Sequence, residues 1–259
     1  MKIGWISSCA VALCMASLAQ AQGKQPAGLR MSTQILIVTT QNWDGVAGTL
    51  QVYERPQARK KWKAAGAPIP VVLGKKGLGW GAGVASEREA GRRAASGPVK
   101  KEGDGKSPAG IFRLSTAFGY AAQEPPGWKM PYMSITPSVE CVDDARSKFY
   151  NHVLDRASVA PDWSSSEQML RPDGLYRWGL VVDHNTEPVT AGAGSCIFLH
   201  IWMGPGQRTT GCTAMAQEQL EGVLARLDPA RKPMLVQLPR AQYKKLRRRW
   251  KLPALPRNK

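Results

Sequence analysis

The stretch that decides the fold is residues 196–216, Cys-Ile-Phe-Leu-His-Ile-Trp-Met-Gly-Pro-Gly-Gln-Arg-Thr-Thr-Gly-Cys-Thr-Ala-Met-Ala. Residues 196–202 are apolar, aromatic or β-branched apart from one histidine, and glycines lie on both sides, so they predict a buried strand. Alternation divides the strand into two faces, one with Ile197, Leu199 and Ile201 and the other with Phe198, His200 and Trp202. The histidine is therefore predicted to sit on a rigid element beside aromatic rings.

A change of period follows this strand. A Gly-Pro turn at 204–206 leads into the corner Thr209–Cys212, and then apolar residues recur at helical spacing until Asp228-Pro229 ends the helix. The apolar positions of this helix are Leu220, Val223, Leu224 and Leu227. Cys212 thus lies in a glycine-containing corner, where we expect an exposed sulfur, backbone N–H groups and a base on the neighbouring strand. Such a place suits a nucleophile.

The rest of the chain predicts mostly strands. They are expected at 34–40, 48–53, 62–73, 107–114, 132–141, 177–185 and 233–238, with the first two paired through a turn at 43–45. A short helical piece is predicted at 164–170, capped by Ser165 or Ser166. The glycine-dense residues 74–83 and the charged residues 86–107 predict loops, the second of them long and exposed. Many short strands with few helices indicate a mainly β domain of the sandwich or barrel type.

The two ends of the chain differ from its middle. Residues 1–21 predict a secretory signal, with Lys2, an apolar run over 3–18 and the small-x-small site Ala19-Gln20-Ala21. A permanent membrane anchor is the alternative, but the run is shorter than the ~20 residues that a span needs. We therefore expect an exported protein, periplasmic or associated with the cell wall, without a stable membrane span after cleavage. Residues 22–32 are predicted to be a linker, 33–239 the folded domain and 240–259 a basic tail.

The charge of the chain points to an anionic partner. The formal net charge is +17, and residues 240–259 contain nine Lys or Arg and no acid. The cell wall, lipid head groups and carboxylate-bearing peptides are candidates, whereas export argues against nucleic acid. A solvated surface accounts for much of the charge, and the tail, helical in its middle, is expected to lie on the domain or on an anionic polymer.

The cysteines left after signal cleavage are odd in number. They are Cys141, Cys196 and Cys212, so in an oxidising compartment one of them stays free. We predict a Cys141–Cys196 disulfide with Cys212 as the thiol, the alternative being that Cys141 and Cys196 are separate buried residues. Because no Cys or His pair has metal-ligand spacing, we expect neither zinc nor another cofactor.

The chain has three histidines to weigh as a base. His152 lies in a loop and is expected to be structural or exposed, and His184 ends a strand where it could line a cleft. His200 shares a strand-and-turn unit with Cys212, which suggests that its imidazole takes the thiol proton before the thiolate attacks a carbonyl. Backbone N–H groups at 210–212, among them that of Gly211, are candidates for oxyanion stabilisation. No acid is close in sequence, so the imidazole needs a backbone carbonyl or a distant side chain as its partner.

These residues carry a resemblance to a known family. Residues 194–215 resemble the active-site signature of YkuD-type L,D-transpeptidases, in the branch with the pattern IFLH…TxGCxAM. Residues 107–112 (SPAGIF) resemble the family's TPxGxF, and residues 143–151 (DDARSKFYN) resemble its DDPxSxxYN. Residues 163–169 and the strand ending at 184–185 also fit, so the similarity spans roughly residues 33–239.

The resemblance implies a β-sandwich-like catalytic domain that acts on peptidoglycan stem peptides. In that family the cysteine attacks the bond between the third residue of a tetrapeptide stem and its terminal D-Ala, and an amine resolves the acyl-enzyme. By this match Cys212 is the nucleophile, His200 the proton donor and acceptor, and Gly211 an oxyanion donor. The residues that could shape the substrate cleft are Tyr150, Asn151, Glu167 and Asn185, together with Asp143 and Asp144. This chain departs from the commoner signature, because Thr210 replaces a histidine and the gap from His200 to Cys212 is short.

Three other functions remain open at this stage. An L,D-carboxypeptidase would release the same acyl-enzyme to water. An NlpC/P60-like peptidase fits less well, since its cysteine precedes its histidine and the order here is reversed. A non-catalytic wall-binding module would leave Cys212 unreactive. The acceptor and the oligomeric state do not follow from the sequence.

Overall fold

The structure is a computed structural model, and it describes residues 25–84 and 96–256. The predicted signal and part of the predicted 86–107 loop lie outside these residues. Short strands dominate the described chain, in the order β1 (Gln34–Thr40), β2 (Ala47–Glu54), β3 (Lys63–Val72), β4 (Leu78–Trp80), β5 (Ser107–Gly119), β6 (Tyr132–Ser134), β7 (Val139–Val142), β8 (Val153–Asp155), β9 (Ser166–Gln168), β10 (Trp178–Val182), β11 (Phe198–Ile201), β12 (Thr213–Met215) and β13 (Met234–Pro239). The α-helices are α1 (Ala27–Met31), α2 (Gln217–Arg226) and α3 (Arg240–Trp250).

The main sheet closes on itself. Its strand order is β10-β11-β12-β3-β2-β1-β13-β5-β4, and β5 pairs with β10 as well as with β13. Every residue of β1 is buried, so both faces of this strand are covered. The predicted first hairpin is confirmed, because β1 and β2 are antiparallel with Ile35 opposite Tyr53. The mainly β fold is confirmed as well.

The predicted faces of β11 are confirmed by where its side chains pack. The strand lies between antiparallel β10 and parallel β12. Ile197, Leu199 and Ile201 join the main hydrophobic core. Phe198 joins a second, smaller core on the opposite face.

The second core lies where a small sheet, β8-β7-β9, meets the main sheet. Its buried residues are Phe118, Ile135, Val139, Cys141, Met169, Tyr176, Cys196, Phe198 and Cys212. Gly179 makes room for it, because a Cβ there would lie 2.1 Å from Cζ of Phe118. Phe118 in turn contacts the rings of Tyr176 and Phe198 edge-on. Burial of these rings gives the thiol of Cys212 an apolar surrounding.

The helices cover the main sheet. Helix α2 buries Leu220, Val223 and Leu224, as the spacing predicted. Helix α3 places Tyr243 and Trp250 in the main core. Thus the middle of the basic tail is helical, and its aromatic residues lie on the domain. No helix of the described residues is long and apolar enough to cross a membrane.

Two of the predicted elements are wrong. Residues 164–170 form no helix; they contain β9, which pairs with β7. The reason is tertiary, since the side chains of Ser166 and Gln168 donate to the buried carboxylate of Glu140. Residues 132–141 are not one strand but two, β6 and β7, with Pro137 between them.

Two predicted loops hold more structure than expected. The glycine-dense stretch contains β4, which runs parallel to the start of β5. In the described part of the 86–107 loop, Lys100 and Ser107 are buried rather than exposed. Ser107 donates from Oγ to the carbonyl of Cys212, which draws this segment against the site.

Candidate active site

His200 and Cys212 lie close to each other, on β11 and just before the neighbouring β12. Cys212 immediately precedes β12, and β12 is parallel to β11 with Leu199 opposite Thr213 and His200 opposite Ala214. Residues opposite each other in a ladder share a face, and so do residues two apart along one strand. Cys212 and His200 are therefore on the same face, diagonal to each other. The structure brings together the two residues that the sequence predicted as nucleophile and base.

The thiol of Cys212 is buried, so the expectation of an exposed sulfur is wrong. Only 6% of the residue is exposed. Its Sγ accepts the backbone N–H of Phe198 at 3.3 Å and donates to the carbonyl of Cys196 at 3.4 Å. Burial, with a smaller effect from the negative charge of Glu167, raises the pKa of Cys212 to about 12. At physiological pH Cys212 is therefore a neutral thiol.

His200 is oriented by a backbone carbonyl. Its Nδ1 lies 2.7 Å from the carbonyl oxygen of Ile201. Because a carbonyl can only accept, Nδ1 carries the proton and Nε2 is the basic nitrogen. Burial lowers the pKa of His200 to about 4. The site therefore pairs a neutral imidazole with a neutral thiol at physiological pH.

Tyr176 is a site residue that the sequence analysis missed. Its ring packs edge-on against the ring of His200 at 5.1 Å, and its hydroxyl interacts with the thiol of Cys212, lowering the pKa of that thiol against the larger effect of burial. The same hydroxyl donates to Oε1 of Glu167 at 2.6 Å. Burial raises the pKa of Glu167, and Arg171 lies 3.5 Å from that carboxylate. The one sequence signal for Tyr176 is its position just before β10, the strand that pairs with β11.

The corner that carries Cys212 is held by two hydroxyl groups. Thr209 donates from Oγ1 to the carbonyl of Cys212 at 2.6 Å, and Ser107 donates to the same carbonyl at 2.9 Å. Thr209 Oγ1 also accepts the N–H of Gly211 at 3.2 Å. The predicted oxyanion donor Gly211 is thus bonded to Thr209 in the resting structure, and would have to exchange that hydroxyl for a substrate oxygen.

The predicted disulfide is confirmed. Cys141 of β7 is bonded to Cys196, with 5.9 Å between their Cα atoms, and Cys212 is a free cysteine. Cys196 has a φ of 54°, a left-handed conformation that is uncommon outside glycine. Its N–H donates to Oδ1 of Asn151 at 3.0 Å. The disulfide therefore ties the small sheet to the residue whose carbonyl accepts the hydrogen bond of the Cys212 thiol.

Three of the residues predicted to shape the substrate cleft, Tyr150, Asn151 and Asn185, instead hydrogen-bond the chain around Gly194 and Cys196, just before β11. Asn151 donates from Nδ2 to the carbonyl of Asn185 at 2.8 Å, and Asn185 donates to the carbonyl of Gly194 at 3.0 Å. The Tyr150 hydroxyl donates to the carboxylate of Glu102 and accepts the N–H of Gly194. Tyr150 and Asn185 are buried and Asn151 is partly buried. Among the four cleft candidates, Glu167 is the one whose partner touches the thiol.

The remaining polar candidates, Asp143 and Asp144, hydrogen-bond loop residues. Asp143 accepts the hydroxyl of Ser165 at 2.5 Å. Asp144 accepts the N–H and the hydroxyl of Ser164, and bonding to the guanidinium of Arg146 holds the pKa of Asp144 well below its usual range. Both aspartates therefore stabilise the loop that follows β7.

The other two histidines have backbone carbonyls beside their ring nitrogens. His152 is exposed, and its Nδ1 lies 3.0 Å from the carbonyl of Tyr150. His184 is buried with both ring nitrogens near backbone carbonyls, those of Ala82 and Ala193. Burial lowers the pKa of His184 to about 4. Across residues 25–84 and 96–256, no group of three or more His, Cys, Asp or Glu side chains is placed to hold a metal ion.

Comparison with known proteins gives one family. The profile of the YkuD family, described as an L,D-transpeptidase catalytic domain, matches residues 46–236. No curated protein matches the chain. Two solved structures do: the helical cell shape determining protein Pgp2 from Campylobacter jejuni, at 14% identity and a TM-score of 0.36, and Bd1075 of Bdellovibrio bacteriovorus, at 13% identity and a TM-score of 0.37. The matches cover 83% and 87% of this chain but only 52% and 57% of those chains, so this chain spans about half the length of either.

Proposed function

The chain belongs to the YkuD family of L,D-transpeptidase catalytic domains, and from that premise we propose that it is a peptidoglycan L,D-transpeptidase with Cys212 as its nucleophile. Its substrate is a tetrapeptide stem, its acceptor is an amine, and it works outside the cytoplasm, in the periplasm or at the cell wall. The observation that carries the proposal is the placement of Cys212 and His200 on one face of two neighbouring parallel strands.

Acylation follows from the state of the two groups. The Sγ proton passes to Nε2 of His200 as Sγ bonds to the carbonyl carbon of the stem's third residue. The C–N bond to D-Ala then breaks, and the same proton goes from Nε2 to the leaving amine. The high pKa of Cys212 and the low pKa of His200 favour proton transfer during attack over a preformed thiolate–imidazolium pair.

Transfer to the acceptor repeats these steps in reverse. The acceptor amine gives a proton to Nε2 of His200 and attacks the thioester, and the thiolate leaves and regains that proton. The donors we assign to the developing negative charge are the Tyr176 hydroxyl, which would have to release Glu167, and the Gly211 N–H, which would have to release Thr209. Tyr150, Asn151 and Asn185 are assigned an indirect role, since they fix the segment before β11.

Burial of Cys212 slows hydrolysis of an acyl-enzyme and leaves it for an amine acceptor that the site binds. Because Cys212 is only slightly exposed, the thioester forms where bulk water has little access. An L,D-carboxypeptidase would need a water molecule to reach the same carbonyl. A non-catalytic wall-binding module would not need the oriented imidazole.

The test uses the purified protein with a disaccharide-tetrapeptide, and mass spectrometry reads the products. We expect a cross-linked dimer that has lost one D-Ala, absent with Cys212→Ala and His200→Gln. His152→Gln is the matched control, because this histidine is exposed and its Nδ1 lies beside a backbone carbonyl, and it should keep the activity. A tripeptide without any dimer would establish the carboxypeptidase instead. No product from any form would contradict the substrate assignment and favour the wall-binding module.

A further inference from the structure

One end of the domain is strongly basic, and we propose that it docks on the surface of an anionic phospholipid bilayer. We name this surface the basic end. It combines the β2–β3 turn with the outward face of α3, and its exposed cationic residues are Arg59, Lys60, Lys61, Lys63, Lys244, Lys245, Arg247, Arg248 and Lys251. The inference concerns a surface remote from the thiol and goes beyond the proposed reaction.

The sequence of α3 separates an apolar face from a cationic one. Tyr243 and Trp250 face the core, and Leu246 lies between them at helical spacing. Lys244 and Arg248, four residues apart, are centred on the opposite side. An amphipathic helix whose apolar side is already used by its own domain has only charge to offer to a partner. A partner that matches it is a broad negative surface rather than an apolar groove.

Contacts beside the turn and beside the helix place both at one end of the domain. The Tyr53 hydroxyl near the end of β2 donates to the carbonyl of Ala254, just beyond α3, at 3.2 Å. Across the hairpin Tyr53 pairs with Ala64, next to Lys63 at the start of β3. The cations of the turn and of α3 therefore belong to the same end of the domain.

Little negative charge opposes this surface. The sequence has no Asp or Glu from residue 229 to its end, and Glu54 is the single acid between residues 45 and 86. Glu54 lies 3.1 Å from Arg231 and 3.9 Å from Arg226. Within the described residues no carboxylate pairs with Lys244, Lys245 or Arg248. These charges are available to an external partner.

A membrane fits this end better than a soluble polymer, because of where the chain enters the fold. The side chain of Gln25, at the start of the described residues, donates to the carbonyl of Trp250 at 2.9 Å. The apolar run over 3–18 therefore precedes a point beside α3. Until the predicted signal is cleaved, that run contacts the bilayer and the chain continues from it to α3, so the basic end is the part of the domain expected to meet the head groups.

The thiol lies at the other end of the domain. Lys63 begins β3, and Val72 at its far end pairs with Ala214, two residues after Cys212. Ten residues of strand span roughly 30 Å. With the basic end on the bilayer, the catalytic corner would face away from the lipid, and loss of lipid binding would leave the chemistry untouched.

The test is co-sedimentation of the full chain with vesicles of 30% phosphatidylglycerol in phosphatidylcholine. Vesicles of phosphatidylcholine alone give the background, because the apolar N-terminal run would bind any bilayer. The variant is K244Q/K245Q/R248Q. The matched control, K75Q/K76Q/K101Q, removes the same charge from three exposed lysines outside the basic end.

Each cation near an anionic surface contributes a factor of roughly five to binding. We therefore expect the α3 variant to lose roughly 100-fold of the phosphatidylglycerol-dependent binding, and 0.5 M NaCl to remove most of it from the parent. The control variant should change it by less than about tenfold. Equal losses in both variants would mean that net charge alone determines lipid binding, and would overturn the proposal. Unchanged lipid binding by the α3 variant would also overturn the proposal. If that variant lost binding to isolated peptidoglycan at the same time, the surface would be assigned to an anionic polymer. Thermal unfolding verifies that both variants are folded.

Discussion

The resting charge state of Cys212 can be tested by alkylation with iodoacetamide across a range of pH. The structure gives this thiol a pKa of about 12 against an ordinary value of 9.0. Three pH units mean about 1,000-fold less thiolate at pH 8. A more basic thiolate is intrinsically more reactive, by roughly 20-fold over three units. The net expectation is alkylation about 50-fold slower than for an ordinary cysteine, with burial slowing it further.

The assay quantifies the Cys212 peptide by mass spectrometry, which separates it from the other cysteines. The comparison is the same peptide in protein unfolded in guanidinium, where Cys212 has its ordinary pKa. In the folded protein the rate should rise about tenfold per pH unit from pH 7 to 10, with the same slope in His200→Gln. A fast rate that is flat between pH 5 and 8 and collapses in His200→Gln would refute the reasoning. That result would show a thiolate–imidazolium pair.

Three further outcomes are expected from the same structure. The free energy of unfolding should fall on going from pH 7 to 4.5, because His184 and His200 have folded pKa values near 4 and unfolded values near 6.5, so the unfolded chain takes up protons first. The loss is about 2 kcal/mol per histidine, and in urea unfolding His184→Gln should lose about 2 kcal/mol less than the parent. An equal loss in the variant and the parent would contradict this. Tyr176→Phe removes a hydroxyl that lowers the pKa of the thiol and bonds to Glu167, so alkylation at pH 9 should slow roughly tenfold, whereas an equal or faster rate would deny Tyr176 its place in the site. Trp250→Ala removes a fully buried ring from α3 and should cost about 3–5 kcal/mol in urea unfolding; a cost below 1 kcal/mol would mean that α3 does not stabilise the domain.

Strands with a clear apolar pattern could be predicted from the sequence. The alternation in residues 196–202 gave the two faces of β11, and the helical spacing of Leu220, Val223 and Leu224 gave α2. Residues 164–170 have no such pattern. Their conformation is set by Glu140, a residue more than 20 positions earlier whose carboxylate accepts from Ser166 and Gln168, and local sequence does not report such a partner.

The proximity of Cys212 and His200 was predictable because one strand and the turn after it contain both residues. Tyr176 was not, since it reaches the thiol only through the pairing of β10 with β11. The burial of the thiol was missed for a similar reason. A Thr-Gly-Cys corner suggests an exposed sulfur, but the second core, built from β5, β7 and β11, covers it.

Trapping of the acyl-enzyme tests the central claim most directly. The protein is mixed with disaccharide-tetrapeptide, quenched in acid within a turnover and digested, and the Cys212 peptide is weighed. The account predicts a thioester adduct of the stem less its terminal D-Ala, on Cys212 only, and no adduct in His200→Gln on the same time scale. Dimer or tripeptide formed without any adduct on Cys212, and formed equally by Cys212→Ala, would contradict it.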